Sequence, residues 1–218
     1  MSAARPGYRP VIEAAASAPQ STTDHALMLE VRDGDVAKLG ELFLLHRAPL
    51  FGFFVRLTGH RASSEDLVQL VFYRILRYRH TYRDAGSFTA WMYHIARRTL
   101  ADYRRNADRL EHATATSELQ LLEDDSPHAA DSAAMKDEAR LLTRALATLT
   151  PEEREILVLA RFQEMAHADI AEVFSISIGA VKVRVHRAMK ELRRAFLKLC
   201  DPDAPAARRP HLEGDPTP

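Results

Sequence analysis

Residues 167–194 constrain the fold of this chain most strongly, because two short amphipathic segments flank a tight connector. Ile170, Ala171 and Phe174 have the spacing of the buried side of a short helix. After the connector, apolar residues recur at three- and four-residue steps, at Val181, Val185, Ala188 and Leu192. The pattern predicts a helix-turn-helix whose second helix is N-capped by Ser177.

The second of these helices also carries a cationic face. Its basic residues lie mostly off the apolar stripe and are Lys182, Arg184, Arg187, Lys190, Arg193 and Arg194. A helix anchored by one face and cationic on the other fits the DNA major groove, where phosphate contacts provide affinity and base edges provide specificity. A solvated surface helix is the alternative for a basic helix taken alone, and the preceding turn favours DNA binding.

Composition favours an all-α chain with a local rather than a global charge signal. The 218 residues can form one or two domains, glycine is scarce, and no long run of alternating β-branched residues predicts a sheet. The formal net charge is zero, but residues 74–105 are strongly basic and residues 106–138 are acidic. This distribution predicts two DNA-facing modules joined by an acidic linker.

We therefore expect two small helical domains. The predicted boundaries are a mobile tail at 1–23, a four-helix domain at 24–106, an acidic linker at 107–134, a helix-turn-helix domain at 135–199 and a fraying tail at 200–218. Asp24 and Thr150 are predicted N-caps, the latter followed by Pro151 at the first helical position. Residues 63–66 are expected to open the third helix, and Gly59 to end the second.

Several functional classes are disfavoured. The single cysteine, Cys200, cannot form an intrachain disulfide, and no apolar run approaches the roughly 20 residues of a membrane span. The ten histidines have no convincing ligand spacing, and no glycine-rich phosphate loop is present. We expect a cytoplasmic protein with no catalytic residues, no metal, no cofactor, no small-molecule substrate and no direct membrane insertion.

Two segments in this order resemble a specific family. The first is DLVQLVFYRIL at 66–76, followed by a loop and SFTAWMYHIARR at 87–98. The second is LTPEEREIL at 149–157 together with the helix-turn-helix that ends in RAMKELR at 187–193. The pair resembles bacterial RNA polymerase sigma factors of the sigma-70 family, specifically the two-domain extracytoplasmic-function group. The resemblance covers roughly residues 24–199 and implies a sigma region 2 domain and a sigma region 4 domain.

The resemblance implies that the helix at 66–77 docks on the clamp helices of the largest polymerase subunit. The positions that match the docking motif are Asp66, Gln69, Leu70 and Phe72. The family usually has glutamate where this chain has Leu70, which removes a charge from the expected face.

The segment at 82–98 matches the part of such proteins that opens the promoter's minus-ten element. Strand opening needs groups that trap an unstacked base and cations that follow the backbone. The matching positions are Tyr82, Arg83 and Ser87 in the loop, and His94, Arg97, Arg98 and Arg105 on the following helix. Trp91 is interpreted as a core residue because it shares a face with Phe88, Met92 and Ile95. Asp84 and Ala85 depart from the usual loop, in which glycine and an acidic residue are frequent.

The helix-turn-helix matches the module that reads the minus-thirty-five element. Its predicted contact residues are Ser177, Lys182, Val183, Arg184, His186 and Arg187. Ala180 stands where threonine is common in the family. Ser175 replaces a frequent glycine and is strained if its φ is positive.

These implications define a principal hypothesis and two alternatives. The principal one is an initiation subunit that binds core RNA polymerase through the clamp helices and the flap, contacts promoter DNA with both domains, and is controlled by an anti-sigma factor that can hold it at the membrane. One alternative is a stand-alone helix-turn-helix regulator that dimerises on a palindrome. The other is a helical adaptor that binds only protein and whose basic helices provide solubility.

Overall fold

The computed structural model describes residues 17–84, 86–113 and 133–200, and all regular structure in these ranges is helical. The all-α prediction is confirmed. A short 3₁₀ turn at Arg79–Thr81 follows the third helix. The helices are α1 Ser17–Asp33, α2 Lys38–Thr58, α3 Arg61–Tyr78, α4 Phe88–Ala113, α5 Ala133–Ala147, α6 Pro151–Arg161, α7 His167–Phe174 and α8 Ile178–Cys200.

Helices α1–α4 form the first bundle. Helix α2 packs between α1 and α3, and α4 packs across α3 and α1. Its centre is fully buried and includes Met28, Leu42, Phe53, Phe54 and Phe88. Gly59 ends α2 in a left-handed conformation with φ of 77°, as predicted, and its N–H donates to the carbonyl of Val55. None of the described helices is long and apolar enough to cross a membrane.

Three predicted helix boundaries differ from the structure. Helix α1 begins at Ser17, so Asp24 lies inside the helix and is not its N-cap. The buried Asp24 carboxylate instead accepts from His46 Nε2 at 2.9 Å, because burial of a carboxylate requires a partner. Helix α3 begins at Arg61 rather than within 63–66, and Ser64 is buried against the end of α2. Helix α4 extends beyond residue 106 to Ala113.

Helices α5–α8 form the second bundle. Thr150 makes the predicted N-cap of α6, as a full capping box with Glu153, and Pro151 occupies the first helical position. Arg154 reaches back to the carbonyls of Ala147 and Leu149, which satisfies acceptors at the end of α5. The predicted apolar stripe of α8 is buried throughout, at Val181, Val185, Ala188 and Leu192.

The two bundles pack directly against each other through α2 and α6 and through α4 and α7. Their buried apolar residues form a continuous core at this contact. The Tyr93 hydroxyl donates to Gln163 Oε1 at 2.9 Å, and the Arg56 guanidinium lies 4.5 Å from the centre of the Phe162 ring. Of the predicted linker at 107–134, residues 114–132 lie outside the described residues, and its two ends belong to α4 and α5. Of the predicted tails at 1–23 and 200–218, residues 1–16 and 201–218 also lie outside the described residues, whereas residues 17–23 belong to α1 and Cys200 ends α8. The predicted domain boundaries stay predictions.

The turn of the helix-turn-helix has the strained geometry that the sequence suggested. Ser175 ends α7 with φ of 54° and ψ of 45°, and its N–H donates to the carbonyls of Ala171 and Glu172. A residue with a Cβ atom pays roughly 1–2 kcal/mol for this left-handed conformation, whereas glycine does not. Ser177 Oγ then accepts from the N–H of Ala180 at 3.1 Å, which makes Ser177 the predicted cap of α8.

Replacing Ser175 with glycine should therefore stabilise the protein. We expect Ser175→Gly to raise the free energy of unfolding by about 0.5–1 kcal/mol, because the relief of strain exceeds the added freedom of the unfolded chain. Urea denaturation followed by circular dichroism measures the change. Ala168→Gly, at an exposed helical position of α7, is the matched control and should lower stability by about 1 kcal/mol. A loss of stability in Ser175→Gly would contradict the strain.

Candidate nucleic-acid interface

The recognition helix α8 presents its predicted contact residues to solvent because its opposite side is buried against α5, α6 and α7. Lys182, Val183, His186 and Arg187 are exposed, and Val183 remains half exposed although it is apolar. Ser177 is exposed at the start of the same helix. The six predicted residues thus lie together at the N-terminal half of one helix, in the position that inserts into a major groove.

Arg184 forms an ion pair with an acidic residue of the neighbouring helix α6. Its Nη1 lies 3.4 Å from Glu152 Oε2 on α6, and both side chains are largely exposed. An exposed ion pair of this kind contributes at most about 1 kcal/mol. The contact therefore positions the Arg184 side chain near the start of α6. It is weak enough for the Arg184 guanidinium to leave Glu152 and bind DNA.

The predicted polymerase-docking residues separate into two groups on α3. Asp66, Gln69 and Leu70 are exposed on one face. Phe72 is only 6% exposed and packs edge-to-face on Phe43 with ring centroids 5.0 Å apart. Tyr73, which the sequence analysis did not select, is 58% exposed on the same face as Asp66 and Leu70. The structure thus offers Asp66, Gln69, Leu70 and Tyr73 as a surface, with Phe72 beneath it.

A basic groove runs along α4 beside the end of α3. The predicted residues His94, Arg98 and Arg105 line it, together with Arg74, Tyr78 and Trp91, which were not predicted as contacts. Arg83 lies exposed in the adjoining loop. Trp91 is partly buried against the core, in ring contact with Tyr82 and Phe88, and one edge of it reaches the groove. Cations beside aromatic edges suit a single strand.

Asp102 organises the arginines of this groove. Its carboxylate accepts from Arg74 Nη2 at 2.7 Å and also pairs with Arg105. The hydrogen bond from Arg74 is the main cause that holds the pKa of Asp102 below its ordinary value. Because Asp102 is a single carboxylate among several arginines, the groove keeps a positive charge. The same carboxylate orients the guanidinium groups of Arg74 and Arg105.

Two of the predicted loop residues, Tyr82 and Ser87, make contacts within the protein that hold the loop in place. Tyr82 is 3% exposed, and burial raises the pKa of its hydroxyl to about 12, with a further contribution from the negative charge of Asp24. Its hydroxyl donates to the carbonyl of Gly86 at 3.1 Å. Ser87 Oγ accepts from the N–H of Ala90 at 3.3 Å, so it caps α4. Both side chains shape the loop in this conformation. Ala85 lies outside the described residues.

Arg97 belongs to the contact between the two bundles. Its Nε donates to Glu155 Oε2 at 2.9 Å, its Nη1 donates to the carbonyl of Val173 at 3.1 Å, and its guanidinium stacks 3.7 Å from the centre of the Phe174 ring. Arg104 donates to the other oxygen of Glu155 at 2.7 Å. Glu155 is 7% exposed. In this arrangement Arg97 and Arg104 face the second bundle rather than the groove.

Sequence reasoning missed Glu155, Tyr73 and Tyr78. Glu155 had a signal, since this carboxylate directly precedes the apolar run 156–159 and lies three and four residues before Val158 and Leu159 on the same helical face. Tyr73 follows Asp66 and Leu70 at helical steps of seven and three residues, which places it on their face. Nothing local distinguishes Tyr78, because its role depends on the approach of α4.

Among the described residues no group of three metal-ligating side chains occurs.

The fold and these surfaces define a helical DNA-binding protein with two modules, one carrying a helix-turn-helix and one carrying a basic groove beside an exposed docking helix. Two family models match the same two modules: Sigma-70 region 2 over residues 42–110, and Sigma-70, region 4, over residues 139–192. Both matches coincide with the segments that carried the resemblance in the sequence.

Curated relatives extend these matches over most of the chain. The ECF RNA polymerase sigma factor SigF of Caulobacter vibrioides is 33% identical over 168 residues, which cover 77% of this chain and 90% of that protein. The RNA polymerase sigma factor CarQ of Myxococcus xanthus is 28% identical over 172 residues, covering 79% and 97%. The chain belongs to the extracytoplasmic-function group of the sigma-70 family and is a transcription initiation factor.

Solved structures share the fold. CnrH, solved in complex with the cytosolic domain of CnrY, has a TM-score of 0.62 and 22% identity and covers 83% of this chain and 99% of its own. The sigma factor RpoE of Bartonella quintana, solved with the anti-sigma factor NepR, also has a TM-score of 0.62, with 20% identity and coverage of 72% and 96%.

The Glu155 ion pairs should control how the two bundles pack. In Glu155→Gln the charge that holds Arg97 and Arg104 is lost, and we expect the contact to weaken by about 2–3 kcal/mol, because both guanidinium groups are left against the second bundle without an anion. Spin labels on the exposed Cys200 and on an introduced Ala62→Cys measure the distance between the bundles, which should become broadly distributed.

Glu152→Gln is the matched control for this experiment. Glu152 lies on the same helix and pairs only with Arg184 within the second bundle, so the distance distribution should stay as in the unsubstituted protein. An unchanged distribution in Glu155→Gln would show that the other contacts between the bundles hold them without the Glu155 ion pairs.

Proposed function

We propose that this chain places polymerase on a promoter through three separate surfaces. The exposed face of α3 docks on the clamp helices of core polymerase, the groove along α4 receives the minus-ten strand, and α8 reads the minus-thirty-five element. The observation that supports this most directly is α8, on which Lys182, Val183, His186 and Arg187 are exposed together and Arg184 is partly exposed, while the apolar stripe is buried. The protein supplies recognition and strand separation, and the polymerase supplies the chemistry.

The groove residues would have distinct roles. Arg98, Arg105 and Arg74 provide cations for backbone phosphates, the last two oriented by Asp102. Arg83 and His94 lie where the loop meets α4. Base stacking and pocket contacts would offset the few kcal/mol lost when a base leaves the duplex. Arg97 would join this surface only after it leaves Glu155, so strand binding at Arg97 requires the two bundles to separate.

We also propose a cytoplasmic site of action and control by an anti-sigma partner. A protein that binds core polymerase and promoter DNA acts in the cytoplasm, where both are found. The two structural neighbours with the same fold were solved with CnrY and NepR bound, and this chain exposes apolar residues on α2, at Leu44 and Leu45, that a partner could cover. Recovery of polymerase alone in a pull-down from unstressed cells would argue against such a partner.

The DNA role of α8 is tested by comparing base-directed and phosphate-directed residues. Arg184→Ala and Lys182→Ala should each weaken binding to a minus-thirty-five duplex by about 1–3 kcal/mol and relax base preference at one position. Lys190→Ala, further along the exposed face, should instead weaken binding uniformly and lower the salt slope by about 1. Fluorescence anisotropy against duplexes with single base changes measures both, and equal effects on every duplex would contradict base reading by Arg184.

The docking role of α3 is tested by truncating its exposed face. We expect Asp66→Ala and Tyr73→Ala to lower affinity for purified core polymerase by about tenfold each, since exposed aromatic and charged anchors dominate interfaces. Run-off transcription should fall in proportion, while binding to the isolated minus-thirty-five duplex is retained. Lys190→Ala is the control and should leave core affinity unchanged. Transcription starts that do not depend on this chain would overturn the proposed function.

A further inference from the structure

Helix α1 holds the loop between α3 and α4 at two points. His25 contacts Tyr82 at the start of the loop, and Arg32 pairs with Asp84 near its tip. Helix α1 lies outside residues 42–110, which match sigma region 2. We propose that His25 and Arg32 are positioning residues that set the conformation in which this loop receives an unstacked base of the minus-ten strand. The inference rests on the proposed function of the groove.

The first contact is a relay of hydrogen bonds. The Tyr82 hydroxyl has one hydrogen, which it donates to the carbonyl of Gly86 at 3.1 Å. His25 Nδ1 lies 2.7 Å from the same hydroxyl, so Nδ1 carries the hydrogen and donates to it. The neutral imidazole with hydrogen on Nδ1 and the imidazolium both satisfy this geometry. The relay therefore connects α1 to the last turn of the loop across the buried ring of Tyr82.

The second contact fixes the other side of the loop. Arg32 donates to Asp84 through Nη1 while its Nε donates to Asp33 at 2.9 Å. The Arg32 side chain is about 25% exposed, so two carboxylates hold it in one orientation at the surface. Asp84 and Gly86 are each tied to α1, Asp84 directly through Arg32 and Gly86 through Tyr82.

Helix α1 is itself firmly attached, which is what a positioning element requires. Met28 and Val31 are fully buried, and Asp24 is paired with His46 of α2 at 2.9 Å. The loop therefore rests on a helix that the core holds in place. Restricting a loop before its ligand arrives removes part of the ordering cost of binding. The exposed Arg83 and the groove residues beside it then face the strand from a preset backbone.

The test separates loop geometry from general stability. His25→Phe retains a ring against Tyr82 and loses the donor, Arg32→Gln loses the charge, and Arg32→Lys retains it. The probe is a fluorescein-labelled single strand that spans the minus-ten region of a promoter from which the full-length chain and core polymerase initiate. Each position of this strand is tested with each of the four bases. We expect His25→Phe and Arg32→Gln to weaken strand binding by the holoenzyme about two- to fivefold and to flatten base preference at one position.

The controls distinguish this role from a structural one. Lys38→Gln removes one positive charge that pairs with Glu41 and does not touch the loop, and it should leave base preference unchanged. Affinity for core polymerase and for the minus-thirty-five duplex should be unaltered in every variant, and Arg32→Lys should regain most of the preference. If His25→Phe does not fold, the comparison of Arg32→Gln with Arg32→Lys tests the proposal by itself.

Two results would overturn the proposal, and they differ in what they say about the groove. If Arg83→Ala and Arg98→Ala weaken strand binding while the α1 variants keep the base preference of the unsubstituted chain, the groove binds DNA without positioning by α1. If Arg83→Ala and Arg98→Ala also bind normally, the loop is not a strand reader and the proposed function of the groove fails with the inference.

Discussion

The carboxylate of Glu155 is the interaction on which the arrangement of the molecule depends. A carboxylate that is 7% exposed is costly unless it is paired, and both of its oxygens are satisfied by arginines of the other bundle, Arg97 at 2.9 Å and Arg104 at 2.7 Å. The ring of Phe174 completes the site under Arg97. Apolar packing between the bundles is tolerant of small shifts, whereas this ion cluster specifies one register.

This relative position of the two bundles leaves one candidate DNA surface open and partly covers the other. Helix α8 lies away from the contact, so its cationic face is open. Helix α4 is divided: Arg98 and Arg105 line the open groove, and Arg97 is engaged with the second bundle. Glu172 of α7 lines the adjoining pocket together with Arg83 and His94, so a negative charge lies next to the groove on the side of the loop. In the packed state the second bundle covers one side of the surface proposed to receive the minus-ten strand.

Carboxylates recur in this protein as devices that orient arginines. Asp102 fixes Arg74 and Arg105, and Glu155 fixes Arg97 and Arg104. A surface that must attract phosphate needs many cations, but long unpaired cationic side chains would be mobile and would repel one another. Pairing some of them with single carboxylates leaves a positive surface whose geometry is defined before DNA binds.

Local patterns in the sequence determined the helical fold, the helix-turn-helix, the caps at Thr150 and Ser177, and the cationic face of α8, because each depends on neighbours within one or two turns of the same helix. The burial of Phe72 and Tyr82, the pairing of Asp24 with His46, and the engagement of Arg97 by Glu155 were decided only by the tertiary structure. Helical periodicity states which side chains share a face but not which other helix approaches that face. Asp24 and His46 are 22 positions apart in the chain, and Arg97 and Glu155 are 58 positions apart, so only packing brings such groups within hydrogen-bond distance.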